Sequence, residues 1–295
     1  MTGFKCGFIS ILGRPNVGKS TLFNRILGDK LAIVSEKPQT TRNRILGIKN
    51  VEGGQLIFLD TPGIHKGRSR LNERMRSTAI TSGQDADVLL ILIDAHEPDM
   101  EKDRDVIDTL KESPGTSFLV INKIDLVKKE TLLPLMDQYR TLHPFQEIVP
   151  VSAATGDGTE RLLEVVLTYL PESPPYYPED MLTDQSERFL VSEMIREKVI
   201  ECYYQEIPFS TAVTVESFKE QEEKNLIVIH ATIQVERDSQ KRIVIGKGGQ
   251  KLKQIGQRAR EEIEVFFGKR VFLELWVDVV RNWTQDPQAL SRLGY

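Results

Sequence analysis

From Lys5 to Leu170, short apolar runs alternate with longer stretches in which apolar positions return every three to four residues. The runs Lys5 to Leu12, Gln55 to Leu59, Asp87 to Ile93, Thr116 to Ile121 and Glu147 to Val151 are nearly continuous in apolar character, as strands covered on both faces of a sheet are. The stretches Lys19 to Leu27, Leu71 to Gln84, Glu101 to Lys111, Leu132 to His143 and Gly158 to Leu170 carry the helical period. This alternation predicts an α/β fold: a mixed, mostly parallel sheet with helices on both faces, right-handed crossovers, and ligands where strands end.

The pattern breaks at Pro171, Pro174, Pro175 and Pro178, where a helix cannot continue. Beyond them the order changes. A helix over Ser186 to Tyr203 is followed by two long alternating strands, Phe209 to Lys219 and Lys224 to Glu236. Helical segments then meet around Gly246 to Gly249, Gln250 to Phe267 continues as helix, and a last strand spans Val271 to Val280. The expected organisation is an α/β domain over 1–172, a Pro-rich linker over 173–185 and an α+β domain over 186–295.

Composition removes several classes. With 40% apolar and 28% charged residues, disorder is not expected over most of the chain. The most apolar stretch, Val88 to Ile93, is far short of the ~20 residues a bilayer crossing needs. Met1 to Ile11, an apolar run broken by glycine and serine, makes a poor signal peptide. Cys6 and Cys202 alone exclude a disulfide scaffold and favour a reducing compartment. His65, His96, His143 and His230 show no metal-ligand spacing, so zinc is not expected, and His65 reads as a solvated loop residue.

The chemistry concentrates at predicted strand ends. Gly13-Arg14-Pro15-Asn16-Val17-Gly18-Lys19-Ser20 is a complete G-x-x-x-x-G-K-S between a strand and a helix, with Thr21 next in that helix. Its glycines let backbone N–H groups close around phosphate oxygens, Lys19 can reach the β and γ phosphates, and the Ser20 hydroxyl can ligate Mg²⁺. Asp60-Thr61-Pro62-Gly63 follows the next strand. An acid there is suited to hold Mg²⁺ through water while the Gly63 N–H senses the γ-phosphate, although the tetrad alone reads equally well as an ordinary turn. Asn122-Lys123-Ile124-Asp125 ends another strand, where a carboxylate accepts from guanine N1–H and N2–H₂ and finds no such pair on adenine. Ser152-Ala153 brings a backbone N–H to the guanine oxygen. Each tetrad is weak alone; the four in this order are strong.

At these residues the chain resembles the translation-factor-like class of P-loop GTPases over Phe4 to about Leu170. The resemblance implies guanine selectivity through Asp125 and a switch loop between Ala32 and Arg44. There Pro38-Gln39-Thr40-Thr41-Arg42 offers two threonines, of which Thr41 is the favoured Mg²⁺ ligand beside Ser20 and Asp60 and Thr40 the alternative. The second switch begins at Gly63 and Ile64. Ile64 stands where Ras-type GTPases carry the glutamine that orients the attacking water, so slow intrinsic hydrolysis and outside acceleration are expected. Asn16 together with an apolar residue at 64 resembles potassium-activated GTPases, which makes Asn16 a candidate K⁺ ligand; the plainer reading is that Asn16 only stabilises its loop.

In the second domain, Gly246-Lys247-Gly248-Gly249 joins two helical stretches. The turn lets backbone approach backbone, so nucleotides can be clamped without obstruction by side chains, while Ile243, Val244, Leu252 and Ile255 are expected to pack on a sheet. A lone G-x-x-G is weak, but within the order α-β-β-α-α-β it resembles a type II KH domain, an RNA-binding fold. Charge agrees. The net charge of −4 conceals fourteen acidic and six basic residues over Glu179 to Asp238, against nine basic and three acidic over Ser239 to Arg270. Met1 to Asn50, around the phosphate loop, is also basic, with nine basic and two acidic residues. Lys241, Arg242, Lys247, Lys251, Lys253 and Arg258, with the three glycines, are the candidate RNA contacts.

One G domain, a Pro-rich linker and one KH domain resemble the Era family of bacterial GTPases, as do the strand Leu273-Glu274-Leu275-Trp276-Val277 and the end Ser291-Arg292-Leu293-Gly294-Tyr295. That resemblance implies binding of the 3′ end of 16S rRNA, a role in assembly of the 30S subunit, and peripheral contact with the inner membrane. A cytoplasmic monomer is expected. The rival reading is a signalling or membrane-associated switch whose second domain binds protein, against which the intact glycine turn and the basic segment weigh.

Overall fold

The computed structural model describes the chain except residues 1–2, 36, 38, 65–68, 110–112 and 205. The chain forms two compact units, the first reaching Asp184 and the second taking Gln185–Tyr295 together with the short segment Ser69–Leu71.

The first unit is built on a six-stranded sheet in the order β2-β3-β1-β4-β5-β6. Its strands are β1 (Lys5–Gly13), β2 (Ile45–Val51), β3 (Gly54–Asp60), β4 (Val88–Asp94), β5 (Thr116–Asn122) and β6 (Glu147–Pro150). Helices α1 (Lys19–Leu27), α2 (Arg70–Gln84), α3 (Met100–Thr109), α4 (Leu132–Arg140) and α5 (Thr159–Tyr169) connect them. Every residue of β3 and β4 is buried, which accounts for their continuous apolar pattern; each large side chain removed from water contributes roughly 1.5–3 kcal/mol. Because β1, β3, β4, β5 and β6 run parallel, their C-terminal ends share one edge of the sheet.

Two sequence expectations change, and one falls outside the described residues. Strand β2 pairs antiparallel with β3 from Ile45↔Asp60 to Val51↔Gly54, yet no strand is evident there from apolar pattern. Gly47 interrupts the run because α1 crosses close: a Cβ at 47 would collide with Leu27 and the Phe23 ring. The α4 helix ends at Arg140 rather than His143. The α3 helix is described to Thr109, and the expected end at Lys111 lies outside the described residues, as does His65.

The Pro-rich stretch is not a free linker along most of its length. Ser173 N–H donates to the Phe4 carbonyl at 3.0 Å, and Tyr176 and Tyr177 N–H donate to Gln55 Oε1 at 2.9 and 3.0 Å. Ile48 N–H, on edge strand β2, donates to the Leu182 carbonyl at 2.9 Å, and the Thr183 hydroxyl to the Leu46 carbonyl at 2.6 Å. Prolines exclude helix but not packing, and the first unit therefore continues to Asp184.

The second unit contains α6 (Glu187–Cys202), β7 (Ala212–Gln221), β8 (Leu226–Val235), α7 (Asp238–Ile245), α8 (Gln250–Phe267) and β9 (Arg270–Val279). Ser186 caps α6, its hydroxyl accepting Phe189 N–H at 3.2 Å. Its sheet is β7-β8-β9, antiparallel between β7 and β8 and parallel between β8 and β9. Val191, Ile195, Ile229, Ile233, Ile255 and Ile263 meet in the core between sheet and helices. A short helix, α9 (Pro287–Arg292), follows Trp283, whose buried indole N–H donates to the Ser210 carbonyl at 3.0 Å. Six residues are too few for a periodic signal, so the tail is not legible as helix.

Candidate nucleotide site and nucleic-acid groove

The phosphate end is made where β1 turns into α1. Gly18 has φ of +97°, a conformation L side chains rarely adopt, and any Cβ there would run into the Asn122 amide. Lys19 Nζ donates to the carbonyls of Arg14 at 2.9 Å and Gly13 at 3.3 Å, which holds it curled over the loop. Burial drives its ammonium down to about 8. A buried cation at the start of a helix whose N–H groups point outward is a strong site for phosphate oxygens.

Three oxygens meet beside it. Ser20 Oγ lies 2.8 Å from Asp60 Oδ2 and 2.9 Å from Thr41 Oγ1, and Thr41 Oγ1 lies 3.1 Å from Asp60 Oδ2. Thr41 is buried in this cluster, whereas Thr40 is half-buried at the rim of the cavity. Asp60 is fully buried, its Oδ1 has no hydrogen-bond partner among the described residues, and burial pushes the carboxyl up to about 6. An oxygen-only donor set with one orphaned carboxylate oxygen fits a hard divalent cation, whose charge would return the carboxyl to its ionised form.

The base end is tied to the phosphate end by the Asn122 side chain and by Arg25 of α1, which donates to the carbonyls of Ala153 and Ala154. Asn122 Nδ2 donates to the Val17 carbonyl at 2.8 Å, and its Oδ1 accepts Ala153 N–H at 2.9 Å. Asp125 Oδ1 accepts the Ser152 hydroxyl at 2.6 Å. Lys123, at φ +64°, pairs with Asp94 at 2.5 Å, and Ile124 packs inward against the cluster around Ile121 and Tyr139. A cavity of about 670 Å³ runs past Asn16, Lys19, Ser20, Thr21, Thr41 and Gly63 to Lys123.

In the second unit, Gly246 N–H closes α7 on the Arg242 carbonyl at 2.9 Å. Gly248 and Gly249 follow at φ +60° and +77°, with nothing within 4 Å of where a Cβ would stand, so the turn presents bare backbone. Beside it a groove of about 460 Å³ lies between α8 and β9, lined by Gly249, Leu252, Lys253, Gly256, Gln257 and Arg260 on the helix and Leu273 to Leu275 on the strand.

The family model described as a 50S ribosome-binding GTPase matches residues 8–123, and that of the KH domain matches 206–284. GTPase Era of Syntrophus aciditrophicus is 56% identical over 99% of this chain and 95% of the relative, and that of Geotalea daltonii is 53% identical over 99% and 98%. The chain belongs to the Era family of GTPases. Two solved Era structures, each 43% identical over 99% of both chains, superpose with TM-scores of 0.95 and 0.96. The first is an Aquifex aeolicus Era variant bound to GDP·AlF₄⁻, the second an Era complex with MgGDPNP and nucleotides 1506–1542 of 16S ribosomal RNA.

In this Era-family chain, some motif residues stand away from the cavities. The Arg14 side chain turns to α3, where Nε meets Asp103 Oδ1 at 2.5 Å and Nη2 reaches the Glu97 carbonyl at 3.2 Å; only its main chain serves the phosphate loop. The Thr61 hydroxyl donates to the Ile11 carbonyl at 2.7 Å, Val17 is buried, and Pro62 is buried in its turn. Ile64 is buried against Leu12, Ala79 and Leu89, so its side chain both lacks a hydrogen-bonding group and faces the core.

In the KH unit, Ile243 is 51% exposed because Val244, the next residue round the helix, takes the inward position. Arg258 leans toward α6, 3.8 Å from Glu201, while Arg260 lines the groove. The spacing 249, 252, 253, 256, 257, 260 is one helical face, a signal that could have selected Arg260 over Arg258. Lys241, Arg242, Lys247 and Lys251 surround the turn without lining the groove. Sequence reading also misses His96 and Glu97, which line the nucleotide cavity; Asp94 Oδ1 accepts both their N–H groups, at 2.9 and 3.2 Å.

Proposed function

We propose that GTP binding and hydrolysis in the first unit govern binding of the 3′ end of 16S rRNA by the second, during assembly and maturation of the 30S subunit. The observation that carries this reading is the bare Gly248-Gly249 turn beside a groove edged by Lys253 and Arg260, in a chain matching, over 99% of its length, an Era complex with that RNA. Backbone N–H groups of residues 16–20 hold the phosphates, Lys19 offsets their charge, and Asp125 reads guanine. Mg²⁺ would be held by Ser20, Thr41 and Asp60 and would supply charge neutralisation to the phosphates. Engaging Thr41 orders the first switch, and since coupling is reciprocal, RNA on the groove favours the GTP-bound form.

The expected result is tighter RNA binding with one nucleotide than with the other. Equal affinity for a 16S 3′-end oligonucleotide with GTP analogue and with GDP would leave the two units independent. Gly248→Asp sets a carboxylate where phosphates approach, a juxtaposition that costs several kcal/mol. It should weaken RNA binding by about 100-fold or more while GDP affinity holds. Unchanged RNA affinity would remove the turn from the interface.

Asn16 lines the cavity at φ +67°, and K⁺ held there would supply the positive charge that Ile64 and Arg14 do not bring to the phosphates. Turnover in KCl should exceed that in NaCl by about tenfold, and Asn16→Ala should abolish the difference. Equal rates in both salts would rule the cation out. We place the protein in the cytoplasm as a monomer. Among the described residues no helix is long and apolar enough to cross a membrane, so any contact with the inner membrane would be peripheral.

A further inference from the structure

The groove uses only one side of the β7-β8-β9 sheet. On β9, Val271, Leu273, Leu275 and Val277 face the helices, and the residues between them, Phe272, Glu274, Trp276 and Asp278, face the opposite way. The parallel register sets Phe272 beside Val228, Glu274 beside His230 and Trp276 beside Thr232. From β7, the irregularity between Val215 and Ser217 brings Glu216 onto the same face, where its carboxylate accepts the Thr232 hydroxyl at 2.6 Å.

Trp276 is 43% and Phe272 52% exposed, unlike the fully buried Trp283. The Trp276 ring is held in place: His230 stands nearly perpendicular to it, centroids 5.5 Å apart, and lies 3.7 Å from Glu274. Three carboxylates surround the tryptophan on this face: Glu274 and Asp278 two residues to either side, and Glu216 across Thr232. The basic residues of the face, Lys219 and Arg270, lie toward the Phe272 end.

We propose that this outer sheet face docks a basic protein segment, with an arginine or lysine stacked on Trp276 among Glu216, Glu274 and Asp278. The negative face of an indole attracts a cation, and attraction strengthens as the pair leaves water. Neighbouring carboxylates pair with the same or an adjacent basic group, and Phe272 with Val228 takes an apolar residue of the segment. RNA is disfavoured here because its phosphates would meet three carboxylates. The charge is opposite to that of the segment around the groove, so one small unit carries an RNA face and a separate face for a cationic protein.

The test uses the full chain and a labelled hexapeptide alternating Arg and Leu, with a Glu/Leu peptide as control. The expected result is saturable binding of the basic peptide, a change in Trp276 fluorescence, and no binding of the acidic one. Trp276→Ala, and separately the Glu216→Gln/Asp278→Asn pair, should each weaken binding by about tenfold or more. RNA affinity and GTP turnover should not change in either variant, and Gly248→Asp should leave peptide binding intact. Equal peptide affinity in parent and both variants overturns the proposal. So does loss of RNA binding in Trp276→Ala, or a self-association of the parent that Trp276→Ala abolishes, which would make the occupant RNA or a second copy.

Discussion

Asp103→Ala is expected to lower the unfolding free energy by about 3 kcal/mol, the order seen when one partner of a buried ion pair is removed. Asp103 is 1% exposed in the first turn of α3, and its carboxylate accepts Arg14 Nε at 2.5 Å and the Tyr139 hydroxyl at 2.6 Å. Burial, then the Asp103 hydrogen bond, holds Tyr139 well above the ordinary phenol range, so it remains a donor. Alanine would strand a nearly buried guanidinium and a buried hydroxyl together. Because the Arg14 carbonyl also positions Lys19, GDP affinity should fall alongside stability. Urea unfolding of the two proteins checks the first part, and a loss below about 1 kcal/mol would show the pair to be worth no more than a surface one.

Asp125→Asn should weaken GTP binding by about 1000-fold and raise affinity for XTP. A carboxylate accepts two guanine N–H donors, while an amide turns an N–H of its own toward one of them; leaving buried donors unpaired costs factors of this size. Xanthine carries a carbonyl at C2 and accepts that N–H. Competition of GTP and XTP for the variant measures the exchange. A GTP affinity within tenfold of the parent would mean that the base is held elsewhere, with the Ser152 hydroxyl bond as the remaining role of Asp125.

The parts legible in sequence are those whose geometry is local. The α1 helix runs from Lys19 to Leu27 as its periodicity predicts, because the glycine-rich loop before it and Gly28 after it set both ends within the segment itself. What escapes is partnership at a distance. Arg14 belongs by spacing to a phosphate loop, but its side chain answers to a carboxylate 89 residues away. Edge strand β2 hides behind Gly47, whose missing side chain is required by α1 rather than by its neighbours in sequence. The prolines after α5 announce an end to helix, yet their segment serves as a cover for the β2 edge, satisfying Ile48 N–H where a bare strand would invite pairing with another chain. Lysines and arginines around the glycine turn count alike in a charge sum, and only the face of α8 separates Arg260 from Arg258.

Asn122 gives the nucleotide site a mechanical property. Its amide grips the carbonyl of Val17 on one side and the N–H of Ala153 on the other, and occupies the space that Gly18 leaves. The two halves of the cavity thus share a rivet, seconded by Arg25 on α1, whose guanidinium donates to the carbonyls of Ala153 and Ala154, and a ligand seated at one end is expected to restrain the other. Guanosine and triphosphate, offered as separate molecules, should therefore fall short of their joined affinity by more than the entropy of the missing bond. Nucleotide departure is then expected as one event rather than a peeling from base to phosphate.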